Sequence, residues 1–199
     1  MTDPAPQAMT EAEYLASERQ SPYKREYVGG FVYPLHAQAG TSGNHARISM
    51  NIAGTLYPAA MGQSCRLYQS DMQIYIPSES VYFYPDVMLA CEGEAPHRYH
   101  ETAPCLIAEV TSGSTAHTDR RHKYSVYTGI PSLQTYLIVS QDERYVIEYQ
   151  RDPSTTENGG WRLREVRGVG EVDVPCLGLR LTLDEIYRNV IPNEQRHPQ

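Results

Sequence analysis

The chain has 199 residues, enough for one domain with a sizeable hydrophobic core. Seventeen Lys and Arg residues against 24 Asp and Glu residues give a formal net charge of −7 at pH 7. This acidic balance argues mildly against nucleic acid as a partner, although it leaves room for a local basic cleft. No apolar run approaches a membrane span, and the polar, acidic residues 1–20 are unlike a secretory signal, so we expect a cytoplasmic protein.

The first third of the chain predicts two helices and a hairpin. Thr10-Glu11-Ala12-Glu13 fits a capping box, which opens a short helix. The strand-like residues 24–28 and 31–35 flank Gly29-Gly30, which is a hairpin signal. From Asn44 to about Ala60, apolar residues recur every four positions beside a polar edge, which predicts an amphipathic helix. The stripe comprises Ile48, Ile52 and Leu56, and the edge comprises His45 and Ser49.

A block of strands is predicted next. Residues 64–69, 71–76 and 81–91 alternate in polarity or run apolar, whereas the polar residues 92–104 predict an exposed loop. The run Cys105–Val110 is almost wholly apolar, as expected of a central strand.

A helix and a second buried strand follow this central strand. The helix is predicted for about Thr118 to Thr128, with Gly129 at its end, and the strand for Leu133–Ser140. Two strands joined by a helix in this way form a right-handed parallel unit. Further strand signals at 144–151 and 161–167 predict a hairpin.

The predicted elements define an α/β fold, in which a mixed central sheet is flanked by helices and carries extra N-terminal and C-terminal hairpins. A strand-like stretch over 172–181 precedes a second capping box and a terminal helix. Residues 10–190 are predicted to form a single domain, between a disordered N-terminus, 1–9, and a disordered tail, 191–199.

The cysteines show no recognisable zinc spacing, because none belongs to a Cys-x-x-Cys pair. Three of the four fall in strand-like apolar runs. We therefore predict buried free thiols in a reducing compartment. The four are Cys65, Cys91, Cys105 and Cys176.

Two carboxylates stand in apolar, strand-like runs. Asp86 follows Pro85 and, taken alone, is equally well explained as a strand-entry residue that accepts a nearby backbone amide. Glu109 ends an apolar strand, where a glutamate is costly unless it is paired or ligated. Its simplest structural explanation is an ion pair with Arg120 or Arg121. The 23 positions between Asp86 and Glu109 allow a return on the adjacent strand, so the two could face each other.

Lys123, one of only two lysines in the chain, lies on the helix predicted after this strand. Asp119, Lys123 and Tyr127 are spaced by four and share one face. That face could carry a solvated Asp119–Lys123 ion pair, or it could direct the lysine at the end of the sheet. Two carboxylates and a lysine together can hold a hard divalent cation beside a bound water, which is the chemistry of phosphodiester hydrolysis.

The order of proline-aspartate, strand-end glutamate and lysine resembles the PD-(D/E)XK nuclease superfamily. The longer pattern resembles one branch, the Uma-two family, which is described as putative restriction endonucleases. This pattern comprises Glu109-Val110-Thr111-Ser112, Asp119, Lys123, Tyr127 and Gly129-Ile130-Pro131-Ser132. The resemblance is close over about residues 24–150 and implies a restriction-endonuclease-like core. The superfamily lysine usually lies two residues after the glutamate, where this chain has Thr111, and Lys123 matches the later place used by this branch.

The resemblance implies an endonuclease that uses Mg²⁺ or Mn²⁺, acts on nucleic acid, with DNA as the expected substrate, and works as a homodimer. The implied catalytic residues are Asp86, Glu109 and Lys123. The implied metal ligands are Asp86, Glu109 and the backbone carbonyl of Val110. The supporting residues are Glu26, His45 and Tyr127, and the candidate phosphate contacts are Arg120 and Arg121.

Two other functions remain open from the sequence. A catalytically degenerate module that binds nucleic acid or protein on the same fold is favoured by the displaced lysine and by the net charge of −7. Hydrolysis of another phosphate ester, such as a nucleotide, is the second, and the chain has no Gly-rich phosphate loop in its favour.

Overall fold

The computed structural model of the chain describes the backbone of residues 6–35, 42–92, 97–111, 116–156 and 159–191, without the side chains of 116–121. The chain divides into two compact units. The first unit comprises Met1–Thr41, Asp71–Tyr84 and Ala95–Thr102, and the second comprises Ser42–Ser70, Pro85–Glu94 and Ala103–Gln199. Within the described ranges, no helix combines the length and the apolar character needed to cross a membrane.

The first unit contains a six-stranded sheet and one helix. Numbered in chain order, its strands lie side by side as β1 (Gln7–Ala8), β3 (Phe31–Pro34), β2 (Arg25–Val28), β6 (Val81–Phe83), β5 (Gln73–Ile76) and β8 (His100–Glu101). The β2–β3 pair is the predicted N-terminal hairpin. Helix α1 (Glu11–Glu18) begins after Thr10, and the Thr10 and Glu13 side chains each accept the other residue's backbone N–H, which confirms the capping box.

The second unit contains a second six-stranded sheet. Its strands lie in the order β12 (Trp161–Arg167), β11 (Tyr145–Arg151), β10 (Thr135–Ser140), β9 (Leu106–Thr111), β7 (Val87–Ala90) and β4 (Arg66–Gln69). Strands β9 and β10 are parallel and the other neighbours are antiparallel, so the sheet is mixed, as predicted. Helix α3 (Ala116–Thr128) connects β9 to β10. The unit also contains α2 (Gly43–Gly62), the hairpin β13 (Glu171–Val174) and β14 (Leu179–Thr182), and α4 (Leu183–Ile186).

The core of the second unit lies between α2 and one face of its sheet. The predicted apolar stripe of α2 is confirmed, because Ile48, Ile52 and Leu56 are fully buried. They belong to one cluster with Val87 of β7 and Ala108 of β9. This packing fixes α2 against the strands that carry the acidic residues, so the start of α2 is placed at the same end of the sheet as Asp86.

The predicted strand 81–91 is in fact two strands in two different sheets. Strand β6 ends at Phe83 in the first unit, and β7 begins at Val87 in the second. Pro85 lies between them, and proline has no backbone N–H to contribute to a sheet ladder. The mixed α/β class is therefore confirmed, but the strands divide between two sheets instead of forming one.

Two local predictions are wrong. The predicted loop 92–104 contains β8, which pairs in parallel with β5 and buries Glu101 completely. The cysteines are not free thiols, because Cys65 is bonded to Cys91 and Cys105 to Cys176. Strand pairing brings together cysteines that are 26 and 71 positions apart, and their spacing in the sequence carries no sign of this. Of the predicted tails, residues 1–5 and 192–199 lie outside the described residues, whereas Gln7–Ala8 forms β1, which pairs with β3.

Replacing Leu56 by alanine is expected to lower the free energy of unfolding by about 2–5 kcal/mol, because it leaves a cavity under α2. Urea denaturation followed by circular dichroism measures the change. Met50→Ala is the matched control, since Met50 lies on the same helix and is 57% exposed. Similar losses in the two variants would contradict the packing of α2 described above.

Candidate active site

Asp86 is fixed where the chain enters β7. Its Oδ2 accepts the backbone N–H of Val110 at 2.7 Å, and its Oδ1 lies 2.9 Å from Nε2 of His45. Its own carbonyl accepts the backbone N–H of Ser70 at 3.0 Å. The carboxylate is therefore oriented from two sides, by the neighbouring strand β9 and by helix α2.

Glu109 lies directly across from Asp86 in the strand register. Strand β7 pairs antiparallel with β9, with Val87 opposite Ala108 and Met88 opposite Ile107. The next position in this register places Asp86 opposite Glu109, and directly opposed side chains in an antiparallel pair lie close together. The prediction that the chain returns on the adjacent strand is confirmed, because β7 and β9 are neighbours.

Glu109 is buried among hydrogen-bond donors. It is 7% exposed, and its Oε1 accepts the hydroxyl of Tyr127 at 2.8 Å. The Nζ of Lys123 lies 3.4 Å from the same oxygen, and Lys123 is only 8% exposed. The helix face that carries Lys123 and Tyr127 is thus turned to the sheet. A buried carboxylate needs such partners, because an isolated charge in this position would be strongly destabilising.

Aromatic packing sets the position of α3 and hence of Lys123. The ring of Tyr127 meets that of Tyr136 on β10 edge-on, with centroids 5.2 Å apart. One turn earlier, the ring of Tyr124 lies 4.5 Å from that of Tyr149 on β11. Because residues 123 and 127 share a helix face, the contact that fixes Tyr127 also directs Lys123 at Glu109.

His45 is held at the first turn of α2. Ser42 caps the helix by accepting the backbone N–H of His45 at 3.1 Å. Burial, the largest single influence, would lower the pKa of His45. The hydrogen bond to Asp86, the charges of Asp86 and Glu109, and a hydrogen bond to the backbone of Val110 together raise this pKa above its ordinary value. Both carboxylates therefore favour the protonated form of the imidazole.

The donor set suits a hard divalent cation. Asp86 and Glu109 offer carboxylate oxygens, and each such oxygen can accept one protein donor and still present a second lone pair. Mg²⁺ and Mn²⁺ prefer these ligands. The backbone of Val110 adjoins these carboxylates, because its N–H donates to Asp86. Asp86 accepts a backbone amide, as its structural explanation predicted, but only the strand register reveals that the amide belongs to Val110.

The remaining residues that the sequence singled out are Glu26, the arginines of α3 and Thr111. Glu26 is buried on β2 in the first unit, where its Oε1 accepts the backbone N–H of Tyr84 at 3.4 Å. The side chains of Arg120, Arg121 and Asp119 lie outside the described residues, so both the proposed Glu109–arginine pair and the phosphate contacts stay predictions. Thr111 ends β9, two residues after Glu109.

The fold, together with one buried and one partly exposed acid beside a lysine, defines a mixed α/β protein of the restriction-endonuclease-like class. The family model Uma2, described as "Putative restriction endonuclease", matches residues 11–184. The chain belongs to this family, and the resemblance inferred from its motifs is confirmed.

Relatives of similar length support the assignment. The uncharacterized protein sll1609 of Synechocystis sp. is 37% identical over 164 residues, which cover 80% of this chain and 88% of the relative. The uncharacterized protein slr1290 of the same organism is 31% identical over 179 residues, which cover 89% and 90%. A crystal structure of a putative nuclease belonging to DUF820 from Anabaena variabilis superposes with a TM-score of 0.70 at 15% identity, covering 92% of this chain and 99% of that one. This likeness shows a shared fold.

Removing the hydroxyl of Tyr127 with Tyr127→Phe is expected to lower the free energy of unfolding by about 1.5–3 kcal/mol, because Glu109 loses a buried donor. Tyr57→Phe is the control, since Tyr57 is 56% exposed. Urea denaturation in metal-free buffer measures the free energy of unfolding of both variants and of the wild type. A loss no larger than that of the control would mean that Glu109 does not depend on this hydroxyl.

Proposed function

We propose that the protein is an endonuclease that depends on Mg²⁺ or Mn²⁺ and hydrolyses phosphodiester bonds of DNA. The observation that supports this most strongly is the convergence of Asp86, Glu109 and Lys123 at one end of the β7–β9 pair. Membership of a family described as putative restriction endonucleases supports the same reaction class.

Asp86 and Glu109 would hold the cation, with the backbone carbonyl of Val110 as a further oxygen ligand. When bound, Mg²⁺ or Mn²⁺ would neutralise charge on the scissile phosphate and make a water molecule more acidic. The contacts of His45 and Val110 fix the orientation of the Asp86 carboxylate, and Tyr127 does the same for Glu109. Such fixed ligands need little rearrangement when the cation binds.

Lys123 would orient or deprotonate the attacking water, or it would stabilise the negative charge that develops on the phosphate. Its Nζ already lies beside Glu109, so the ammonium can serve the site although it comes from α3 and not from β9. The burial of Lys123 strengthens its electrostatic effect, because the surroundings screen charge less than water does.

Because the protein has a formal net charge of −7, DNA binding would depend on positively charged side chains near the site. Arg120 and Arg121, one turn or less before Lys123, are the proposed phosphate contacts. By contrast, Arg164 is engaged by Glu148 at 2.6 Å and by Asp173 at 3.4 Å, so its charge is already compensated. A homodimer would present two such sites to the two strands of a duplex, and light scattering of the purified protein tests that state.

Calorimetric titration of Mn²⁺ into the wild type is expected to show binding that falls at least tenfold in affinity in Asp86→Asn and in Glu109→Gln, because each loses a charged ligand. Glu148→Gln is the matched control, because Glu148 is also a buried glutamate paired with a basic residue in the same sheet. It should leave Mn²⁺ binding unchanged. The titrations are repeated with a DNA duplex, since phosphate oxygens can complete the coordination of the cation.

Lys123→Met is expected to lower the rate of DNA cleavage by about 10²–10⁴-fold, as for the loss of a group that assists proton transfer. It should not weaken Mn²⁺ binding, because the change removes a positive charge beside the cation. Cleavage of a plasmid and of an RNA of matched sequence measures activity and substrate preference. Mn²⁺ binding without cleavage by the wild type would contradict the proposal and favour an interaction module. Absence of binding, with and without DNA, would make Glu109–Lys123 a structural ion pair.

A further inference from the structure

The four cysteines of the chain converge at the opposite end of the second sheet from Asp86. Cys65 immediately precedes β4, Cys91 immediately follows β7, and Cys105 immediately precedes β9. Cys176 lies in the single-turn 3-10 helix Pro175–Leu177, between β13 and β14. Because β7 runs antiparallel to β4 and to β9, its pairing brings Cys65 and Cys105 to either side of Cys91. We call these four residues the cysteine cluster.

The two disulfides of the cysteine cluster are in contact with each other. Cys65 is bonded to Cys91 and Cys105 to Cys176, and the Sγ atoms of Cys91 and Cys105 lie 3.7 Å apart. The Sγ atoms of Cys91, Cys105 and Cys176 all lie within 4.8 Å of one another. Two disulfides that served only as separate cross-links would not need to meet. Three of the four sulfur atoms thus form one compact group, and the sulfur of Cys65 joins it through its bond to Cys91.

The 3.7 Å separation between the Sγ atoms of Cys91 and Cys105 suits a tetrahedral thiolate site. Zn–S bonds of about 2.3 Å place neighbouring sulfur atoms roughly 3.8 Å apart in a tetrahedron, close to the separation of Cys91 and Cys105. Thiolates are soft ligands that select Zn²⁺ over Mg²⁺ or Mn²⁺, so the cluster differs in chemistry from the acidic site. We propose that the cysteine cluster, once its two disulfides are reduced, binds one Zn²⁺ through four thiolates.

The reduction has a defined balance. Each disulfide takes up two electrons and two protons from a dithiol, which itself becomes a disulfide, and yields two thiols. The four thiols then release their protons as thiolates bind Zn²⁺. The same four residues can therefore exist in two states. In one state they are thiolates that bind Zn²⁺, and in the other they form two disulfides without the cation.

The surroundings allow both entry and retention of the cation. Cys65 and Cys105 are each 2% exposed, whereas Cys91 and Cys176 are partly exposed and provide access. The guanidinium of Arg66, next to Cys65, donates to the carbonyl of Glu92, next to Cys91, at 2.9 Å. A positive charge therefore lies beside the paired segments and would offset part of the net negative charge of a zinc tetrathiolate. The Sγ atom of Cys91 also lies 3.9 Å from the carbonyl oxygen of Cys176, so the two disulfides are neighbours here as well.

The test begins with the wild-type chain reduced by a phosphine without oxygen and freed of reductant. Titration with Co²⁺, which reports tetrahedral thiolate ligation by a charge-transfer absorption band, should reach one equivalent per chain. One equivalent of Zn²⁺ should abolish the band. Cys105→Ser and Cys176→Ser should weaken binding at least tenfold, whereas Asp86→Asn, at the opposite end of β7, should bind like the wild type. Circular dichroism checks that each variant is folded.

A second experiment uses only the wild type, so it does not depend on the folding of a variant. The reduced protein is alkylated, and mass spectrometry identifies the modified cysteines. Zn²⁺ should protect all four cysteines from the reagent, and a chelator should restore their modification. Three results would overturn the proposal: equal alkylation with and without Zn²⁺, no cobalt band in the reduced and folded protein, or disulfides that resist reduction while the fold persists. The last result would make the cluster a pair of structural cross-links.

Discussion

The antiparallel pairing of β7 with β9 is the interaction on which the candidate site depends. Its register places Asp86 opposite Glu109, and the N–H of Val110 closes the pair by donating to Asp86 at 2.7 Å. Because side chains alternate along a strand, a slip of one position would turn Glu109 to the other face of the sheet, away from Tyr127 and Lys123. The buried apolar residues of β7 and β9 make such a slip costly, so the hydrophobic core and the polar site are fixed by the same ladder.

Helices on both faces of this sheet support the site. On one face, α2 packs through its apolar stripe and presents His45 to Asp86. The other face receives α3 through contacts between tyrosine rings, and α3 presents Lys123 to Glu109. Each acid is thus approached by a basic side chain from a different helix. This arrangement brings a lysine from a helix to Glu109, which is what the proposed role of Lys123 requires.

The same strand pair also separates two kinds of chemistry. Carboxylate oxygens lie where β7 begins, and sulfur atoms lie where it ends. The four-residue strand β7 lies between the two groups.

Local sequence patterns determined much of the secondary structure. The capping boxes at Thr10 and Thr182, the buried stripe of α2 and the hairpin at Gly29-Gly30 all depend on contacts within a few residues, and each is present in the structure. The family, the mixed α/β class and the pairing of the strands that carry the two acids also followed from motifs and their order.

Only the tertiary structure decided the rest, because it depends on which distant strands pair. The burial of Glu101 and the meeting of four cysteines from separate segments have no local signal. Pro85 is a local signal for a break between β6 and β7, but it does not show that the two strands belong to different sheets. The choice between a solvated Asp119–Lys123 pair and a lysine turned to the sheet likewise needed the packing of α3, which places Lys123 beside Glu109. A sequence shows which residues share a helix face, but the direction of that face is set by the surface against which the helix packs.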